Sequence, residues 1–484
     1  MVWTIARREL ADQLTSLRFL TVTLLAVGLA PLTVYVGARD YANRLADYSR
    51  LAADKQKLAA ASRTVIRAGP VLRAIRAPEP LSVLVRGLDG ALPEYWDFSE
   101  GGVVEGPLAM RPQRLLDILG QLDLEFLVRV VLGLLAILLA FDAVAGEKEL
   151  GTLRAVLSQP VSRPAFLGGK LAGGAATLLV ALAVAFLLAL LSAQLFGIDL
   201  AGGNLVKVAL IAAGSAAYLL AMYAFGLLIS ALSGTQKTAL VVLLVTWVVA
   251  VLAMPPLATL VAQAVVPAPP PQATEQKKQA LSADLKRELD TAMGVALLEI
   301  TGQPLDSPTV RMNWGDAKQH QAELEARATP LRRAYGSKRR QFLGEVERDA
   351  DRRAARQNRL ARIIMALSPA ATFAGAATDL AGTGDAQREA WLAAIRRHQG
   401  ELDPVLFDDP PIMTFSRFMA SGSSSMSGNW KREPKLSELP PFSGPRQEAV
   451  AAIDAALPGL GLLVLYAALF IAGGFFAFSR YDVR

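Results

Sequence analysis

The stretch Gly146-Glu-Lys-Glu-Leu-Gly-Thr-Leu153, which continues through Leu157-Ser-Gln-Pro-Val-Ser-Arg163 to Gly169-Lys170, lies between two long apolar runs. An apolar helix that meets charge at Glu147, turns at Gly151 and re-enters an apolar run after a short polar helix is a membrane hairpin with its connection in water. Glu147 and Glu149 are placed to put negative charge at the start of a short helix running from about Gly151, where the helix dipole favours it. Pro160 ends that helix and Ser162 is positioned to cap the next. The plainer reading is that these residues only cap and turn the loop.

Working outward, the chain has 484 residues, of which 53% are hydrophobic and 19% charged, and a mean hydropathy of +0.35. That balance excludes an ordinary soluble protein of this length. A hydrocarbon core of ~30 Å needs ~20 helical residues. Runs long enough occur at 18–38, 122–143, 166–192, 205–231, 238–264 and 456–479. The expected fold is an α-helical polytopic membrane protein with six spans and a mainly α-helical extracytoplasmic domain made from two insertions.

Cysteine is absent and histidine occurs only at His320 and His398, so neither a disulfide nor a thiol- or histidine-based metal site is expected. No acid is read at mid-membrane, which leaves a proton-driven transporter without support. Asp142, at the end of the second span, is read as a hydrated end residue rather than an ion site. A phosphate-binding loop is missing too. Gly169-Lys170 is followed by Leu171, and Arg163 or Pro164 stands where the first glycine of that motif belongs.

Orientation follows from lysine and arginine in the short connections. Arg7, Arg8 and Arg18, then Lys148, Arg154, Arg163 and Lys170, then Lys237, and finally Arg480 and Arg484 all fall on one side of six spans. Both termini are therefore expected in the cytoplasm of a bacterial inner-membrane protein. Residues 1–17 place Trp3, Ala6, Leu10, Leu14 and Leu17 on one helical face, an amphipathic helix lying on membrane lipids with Arg7, Arg8 and Glu9 in water. A cleaved signal peptide fits less well, because Glu9 and Asp12 precede the apolar run.

The insertions, 39–121 and 265–455, are expected outside and packed as one unit. The first opens with a charged helical stretch from Asp40 to Arg76; the second leaves the fifth span at the stiff linker Pro267-Ala-Pro-Pro-Pro271. Helical composition covers 276–299 and 317–365, with breaks expected near Pro304 and Pro330. Ser421–Gly428 reads as a flexible loop, with Pro434, Pro440, Pro441 and Pro445 irregular after it, and no strong alternation calls for strands. Ile363–Ala381 is nearly long enough to span, but Ser368-Pro369 and Asp379 argue instead for a helix at the outer surface or within the external domain. From Arg327 to Arg362 there are twelve basic and four acidic residues. Arg332, Arg333, Lys338, Arg339, Arg340, Arg352, Arg353 and Arg356 form a patch for an anionic or periplasmic partner or for lipid headgroups, or else a solvated helix with partial pairing. A nucleic-acid partner is not expected.

Glu147-x-Glu149-x-Gly151-Thr152-Leu153 with Leu157-x-x-Pro160-Val161-Ser162-Arg163 resembles the cytoplasmic loop of ABC-2 type transporter permeases. Arg7-Arg8-Glu9-Leu10 and the tail Phe478-Ser-Arg-Tyr-Asp-Val-Arg484 fit the same family. The resemblance implies that Glu147, Glu149, Gly151, Thr152, Leu153, Pro160 and Arg163 belong to a coupling helix seated in a separate nucleotide-binding ATPase subunit, where ATP and Mg would reside. It implies a non-catalytic permease subunit without a cofactor of its own, assembled with a second copy or a paralogous permease. Ser368-Pro-Ala-Ala-Thr-Phe373 and Leu380-Ala-Gly-Thr-Gly384 look like a subgroup with large extracytoplasmic domains. The function implied is ATP-driven movement of a substrate across the membrane. The alternative is a mechanotransmitting subunit that drives an envelope partner through its external domain.

Overall fold

The computed structural model describes residues 2–61, 72–99, 102–108, 122–301, 314–407, 412–414, 427–429, 439–445 and 449–480. It begins with the amphipathic helix α1 (Val2–Leu14) and a long α2 (Leu17–Ala61). Leu124–Phe126, Leu127–Leu132 and Gly133–Ala140 run on as one helix, α3, whose middle section is π-helical. Two short helices follow, α4 (Ala145–Glu149) and α5 (Thr152–Leu157), then α6 (Arg163–Leu195) and α7 (Gly203–Leu232). Gln236–Trp247, Val248–Ala253 and Met254–Val265 make α8, again π-helical in the middle. After it come α9 (Pro271–Thr301), α10 (Trp314–Met365), α11 (Pro369–Ala381), α12 (Asp385–Phe407) and α13 (Ala449–Ser479).

Six of these are long and apolar enough to cross a membrane, namely α2, the stretch from α3 into α4, α6, α7, α8 and α13. The chain is an α-helical polytopic membrane protein with a further, mainly helical region built from two insertions. The core of the bundle is α3, whose Leu127, Leu132, Leu135, Ala136 and Ile137 are fully buried, while α8 and α13 keep broad apolar faces exposed. Both insertions leave the same end of the bundle, called here the insertion side; α1 and the α3–α6 connection lie at the other, the loop side.

The insertions share a small core. Strands β1 (Arg73–Ile75), β2 (Tyr95–Ser99) and β3 (Gly102–Glu105) form an antiparallel sheet. Trp96 of β2 stacks on Trp391 of α12 at 5.6 Å, with Phe98, Ile395 and Leu402 around them. Beside this core Asp89 is buried between Arg44 of α2 and Arg76, both bonded to its carboxylate, and Arg76 also donates to the Asp89 carbonyl at 2.7 Å. Two guanidinium partners are what allow a carboxylate to be buried without water.

Several expectations are corrected. The helix read from Asp40 to Arg76 is described as far as Ala61, and at the far end of that stretch Arg73–Ile75 is a strand, because Ala74 pairs with Trp96 in a sheet that needs residues twenty positions on. Pro330 does not break α10; it is exposed on a helix whose other face is held against α9 by ion pairs such as Lys338–Glu288 at 2.7 Å. Ser427 and Gly428, read as loop, pair as β5 (Ser427–Asn429) with β4 (Ile412–Thr414). Pro304, Pro434 and the rest of that loop lie outside the described residues.

The segment 363–381 neither spans nor lies at the surface. The Tyr466 hydroxyl donates to the Ala366 carbonyl and the Ser368 hydroxyl to the Ala250 carbonyl at 2.7 Å, which brings the α10–α11 turn to the middle of α13 and α8. From there α11 returns between α7 and α13, with Phe373 stacked on Tyr218 at 5.2 Å and Ala376 against Gly459. Small residues on α11 and its neighbours permit that close packing, and Ser368 caps the helix through Ala371 N at 3.3 Å. An acid lies buried at the insertion-side end of the second span, Glu125 in its first turn. It pairs with Arg129 at 2.6 Å inside the bundle, where the Arg129 carbonyl accepts the Tyr218 hydroxyl at 2.8 Å.

Candidate functional site

The α3–α6 connection is fastened to every spanning helix. Asp142, at the end of α3, pairs with Arg18 at the start of α2 at 2.6 Å, and both side chains keep part of their surface in solvent. Glu147 lies 3.6 Å from Lys170 of α6. Lys148 donates to the Ala231 carbonyl and, at 3.1 Å, to that of Ser233, neutralising the carbonyl end of α7. Glu149 accepts from the Gln236 backbone N–H at 2.9 Å, at the amide end of α8. Arg163 donates to the Ser479 carbonyl at 2.6 Å, at the end of α13.

These contacts correct the expected placement of the two glutamates. They lie on α4, ahead of the turn, and Glu149 serves the dipole of α8 rather than that of α5. Only Glu147 reaches toward α5, accepting from the Thr152 hydroxyl. Gly151 makes the turn with φ of 71°, a left-handed conformation that glycine adopts without strain. Ser162 caps α6 through Ala165 N at 3.3 Å, and Pro160 follows the end of α5.

Beneath the loop, Leu153 packs with Val144, Phe166, Leu167 and Phe478 in an apolar cluster, Phe166 stacking on Phe478 at 5.5 Å. Ser230 threads the turn, donating to the Phe141 carbonyl at 2.8 Å and accepting from Ala145 N at 2.9 Å. What faces outward is different: Leu150 is 74% exposed, and Thr152, Arg154, Ala155 and Ser158 line the same outer face. The sequence reading passed over Leu150, though an apolar residue among charged ones at a loop tip was a signal.

Helix α1 is joined to this assembly. A Cβ on Gly169 would lie 2.6 Å from that of Ile5, and one on Gly173 would lie 2.6 Å from that of Glu9, so the two glycines form the shallow face on which α1 rests. Glu9 pairs with Lys170 at 2.8 Å and accepts from Gln13 at 2.7 Å, while Gln13 reaches the Tyr223 hydroxyl at 3.3 Å. Lys170 thus joins Glu9 to Glu147, a hub missed as a site because a lysine after glycine reads as ordinary loop charge. The apolar stripe is divided: Trp3 is 79% and Leu17 75% exposed, while Ala6 is buried and Leu14 packs on the bundle core; Arg7 and Arg8 are exposed.

The basic patch does not converge on one surface. Lys338 faces α9, and Arg339 and Arg340 are half-buried beside it in the outer part of α10, with Arg332 and Arg333 further out. Arg352, Arg353 and Arg356 lie about two and a half to three and a half turns before the α10 terminus, and Arg353 pairs with Asp349 at 2.9 Å. Among the described residues no group of three or more histidine, aspartate and glutamate side chains is placed to hold a metal ion.

The family model for ABC-2 family transporter proteins matches residues 3–483. No curated protein matches the sequence. A match over nearly the whole length, on a six-helix bundle whose helices are gathered at one end by a single short loop, means that the chain belongs to the ABC-2 family transporter proteins.

Proposed function

We propose that the chain is the permease subunit of an ATP-driven exporter of a bacterial inner membrane, with both termini and the loop side in the cytoplasm. Family membership implies an ABC ATPase partner, and in this reading ATP and Mg are bound there. The observation that carries it is the fastening of the α3–α6 connection, from Asp142 to Arg163, to all six spanning helices through Asp142, Glu147, Lys148, Glu149 and Arg163. A force on α5 would reach every helix at once, and through Lys170 it would reach α1, whose outer stripe rests on lipid. Two permeases, identical or paralogous, would complete the assembly.

The roles within the loop then divide. Leu150 and the exposed face of α5 meet the ATPase, whereas Glu147, Glu149 and Arg163 transmit the movement inward. Leu150→Asp should therefore abolish co-purification of the ATPase while the permease keeps its melting temperature. Glu149→Gln should keep the ATPase bound but weaken substrate stimulation of ATP hydrolysis. Retention of the ATPase by Leu150→Asp would sink the docking assignment.

A second reading, in which the chain moves an envelope partner without carrying a substrate, is favoured by one observation. Helix α10 runs back along both α9 and the Met254–Val265 half of α8, so displacement of the fifth span would pass into the α9–α10 hairpin. Because α11 belongs to the bundle, the discriminating truncation must spare it. Replacing 289–337, beyond the Glu288–Lys338 pair, with a short Gly/Ser turn should leave transport intact in an exporter and abolish all output in a mechanotransmitter.

A further inference from the structure

The lower part of α10 combines a fixed depth with an exposed face that passes from cationic to apolar. Its depth is fixed, because the turn that follows it is bonded at Ala366 and Ser368 to the middle of α13 and α8. At a helical rise of about 1.5 Å per residue, Arg359, Arg356 and Arg352 stand about 10, 15 and 21 Å above Ala366 toward the insertion side. Half of a hydrocarbon core is about 15 Å. The three arginines therefore bracket the level at which acyl chains give way to phosphates.

The face also changes character at that level. Positions 352, 356, 359 and 363 follow one another along one side of the helix, and Leu367 lies in the turn just past its end. The upper three are exposed arginines, and below them Ile363 is 59% and Leu367 69% exposed. Neighbouring charges are engaged elsewhere: Arg353 with Asp349 at 2.9 Å, Arg396 with Asp351 at 2.9 Å and Arg362 with Glu389 at 3.8 Å. Arg352, Arg356 and Arg359 form no ion pair among the described residues. Exposed apolar side chains below a row of cations suit a helix entering a leaflet, with the arginine stems extended along lipid and the guanidinium groups at the phosphates.

We propose that Arg352, Arg356 and Arg359 bind the phosphates of anionic lipids in the leaflet on the insertion side, with Ile363 and Leu367 against the acyl chains. The face acts as a collar that holds the α10–α11 hairpin at its depth in the bundle. This does not depend on the ATPase partner or on which compartment the insertions occupy.

The absence of cysteine makes the test direct. Ala355→Cys, on the exposed turn between the arginines, and separately Leu367→Cys would be labelled with bimane in the full chain in phosphatidylcholine nanodiscs. These discs would contain equal fractions of either phosphatidylglycerol or phosphatidylcholine spin-labelled near the top of the acyl chain. The expected result is severalfold stronger quenching at position 355 by the phosphatidylglycerol probe, falling to parity in Arg352→Gln/Arg356→Gln/Arg359→Gln and in molar salt. Quenching at 367, read in discs whose phosphatidylcholine is spin-labelled near the end of the acyl chain, should persist in that triple variant, which shows the hairpin still inserted. Equal quenching at 355 by the two lipids in the unsubstituted collar would overturn the proposal, and so would a 367 probe that no lipid label quenches.

Discussion

Lys170 carries more of the site than any residue of the motif around which the loop is read. Its ammonium lies between Glu9 at 2.8 Å and Glu147 at 3.6 Å, and all three side chains are largely withdrawn from water. Lys170→Met should leave two half-buried carboxylates facing each other and lower stability by about 1–3 kcal/mol, measured as a fall in melting temperature in detergent. Adding Glu9→Gln should recover part of that loss, because one of the opposed charges is gone; no recovery would mean that the lysine acts through packing alone. Gly151 makes a conformational rather than a steric demand, since no atom lies within 4 Å of an added Cβ while φ is 71°. Gly151→Ala should cost about 1 kcal/mol, in the same melt.

Among the elements, α1 is held by shape. Gly173→Leu would drive a side chain into Glu9 and the Ala6 carbonyl, only 2.8 Å from the Cβ position, and the helix has no other docking face of comparable fit. Amide hydrogen exchange should then rise throughout Val2–Leu14 while α7 stays protected; a still-protected α1 would show that lipid contact alone holds it. The spacing Gly169-x-x-x-Gly173 permits a close approach, but it does not reveal that the partner is the side of α1 that bears Glu9 and Gln13. The apolar stripe of Trp3, Leu10 and Leu14 runs beside it. The same difficulty hid the course of 363–381. Its composition is apolar enough for a membrane and its length too short to cross one, and only the bonds from Tyr466 and Ser368 place it halfway.

At the scale of the molecule, the bundle meets the insertions around Glu79. Burial first, and then the Asp89 carboxylate, push its carboxyl from the ordinary 4.5 up to about 7, with Lys207 and Arg76 opposing. Gln387 of α12 reaches it at 3.4 Å, so both insertions and the start of α7 gather there. The folded state holds this proton more tightly than the unfolded chain does. Its contribution is complete below about pH 4.5, declines as pH rises toward about 7 and is flat beyond. Glu79→Gln should remove that decline, so the variant gains relative to the parent above pH 7; unchanged slopes in melts from pH 4.5 to 8 would refute the assignment. In the insertion core, Trp391→Ala removes the ring stacked on Trp96 and should cost about 3–5 kcal/mol, seen as earlier unfolding of that region by hydrogen exchange.

The sequence by itself determined the membrane class, the six spanning helices, the turn at Gly151, the cap at Ser162 and the family motif. These depend on local quantities: apolar length against bilayer thickness, glycine's freedom at positive φ, and a hydroxyl within three residues of an unbonded amide. Only the tertiary structure decided which partners the charged groups would take. Glu147, Lys148, Glu149 and Arg163 are neighbours in one loop, yet each binds a different helix, Glu147 the Lys170 side chain within α6 and the other three the ends of α7, α8 and α13. Helix ends carry unmet amides and carbonyls wherever they fall, and a loop charge pairs with whichever end packing brings beside it. For the same reason Ala74 found Trp96 across a sheet, and α11 found its groove between α7 and α13. Those pairings are set by distance in the folded chain, which no periodicity or composition records.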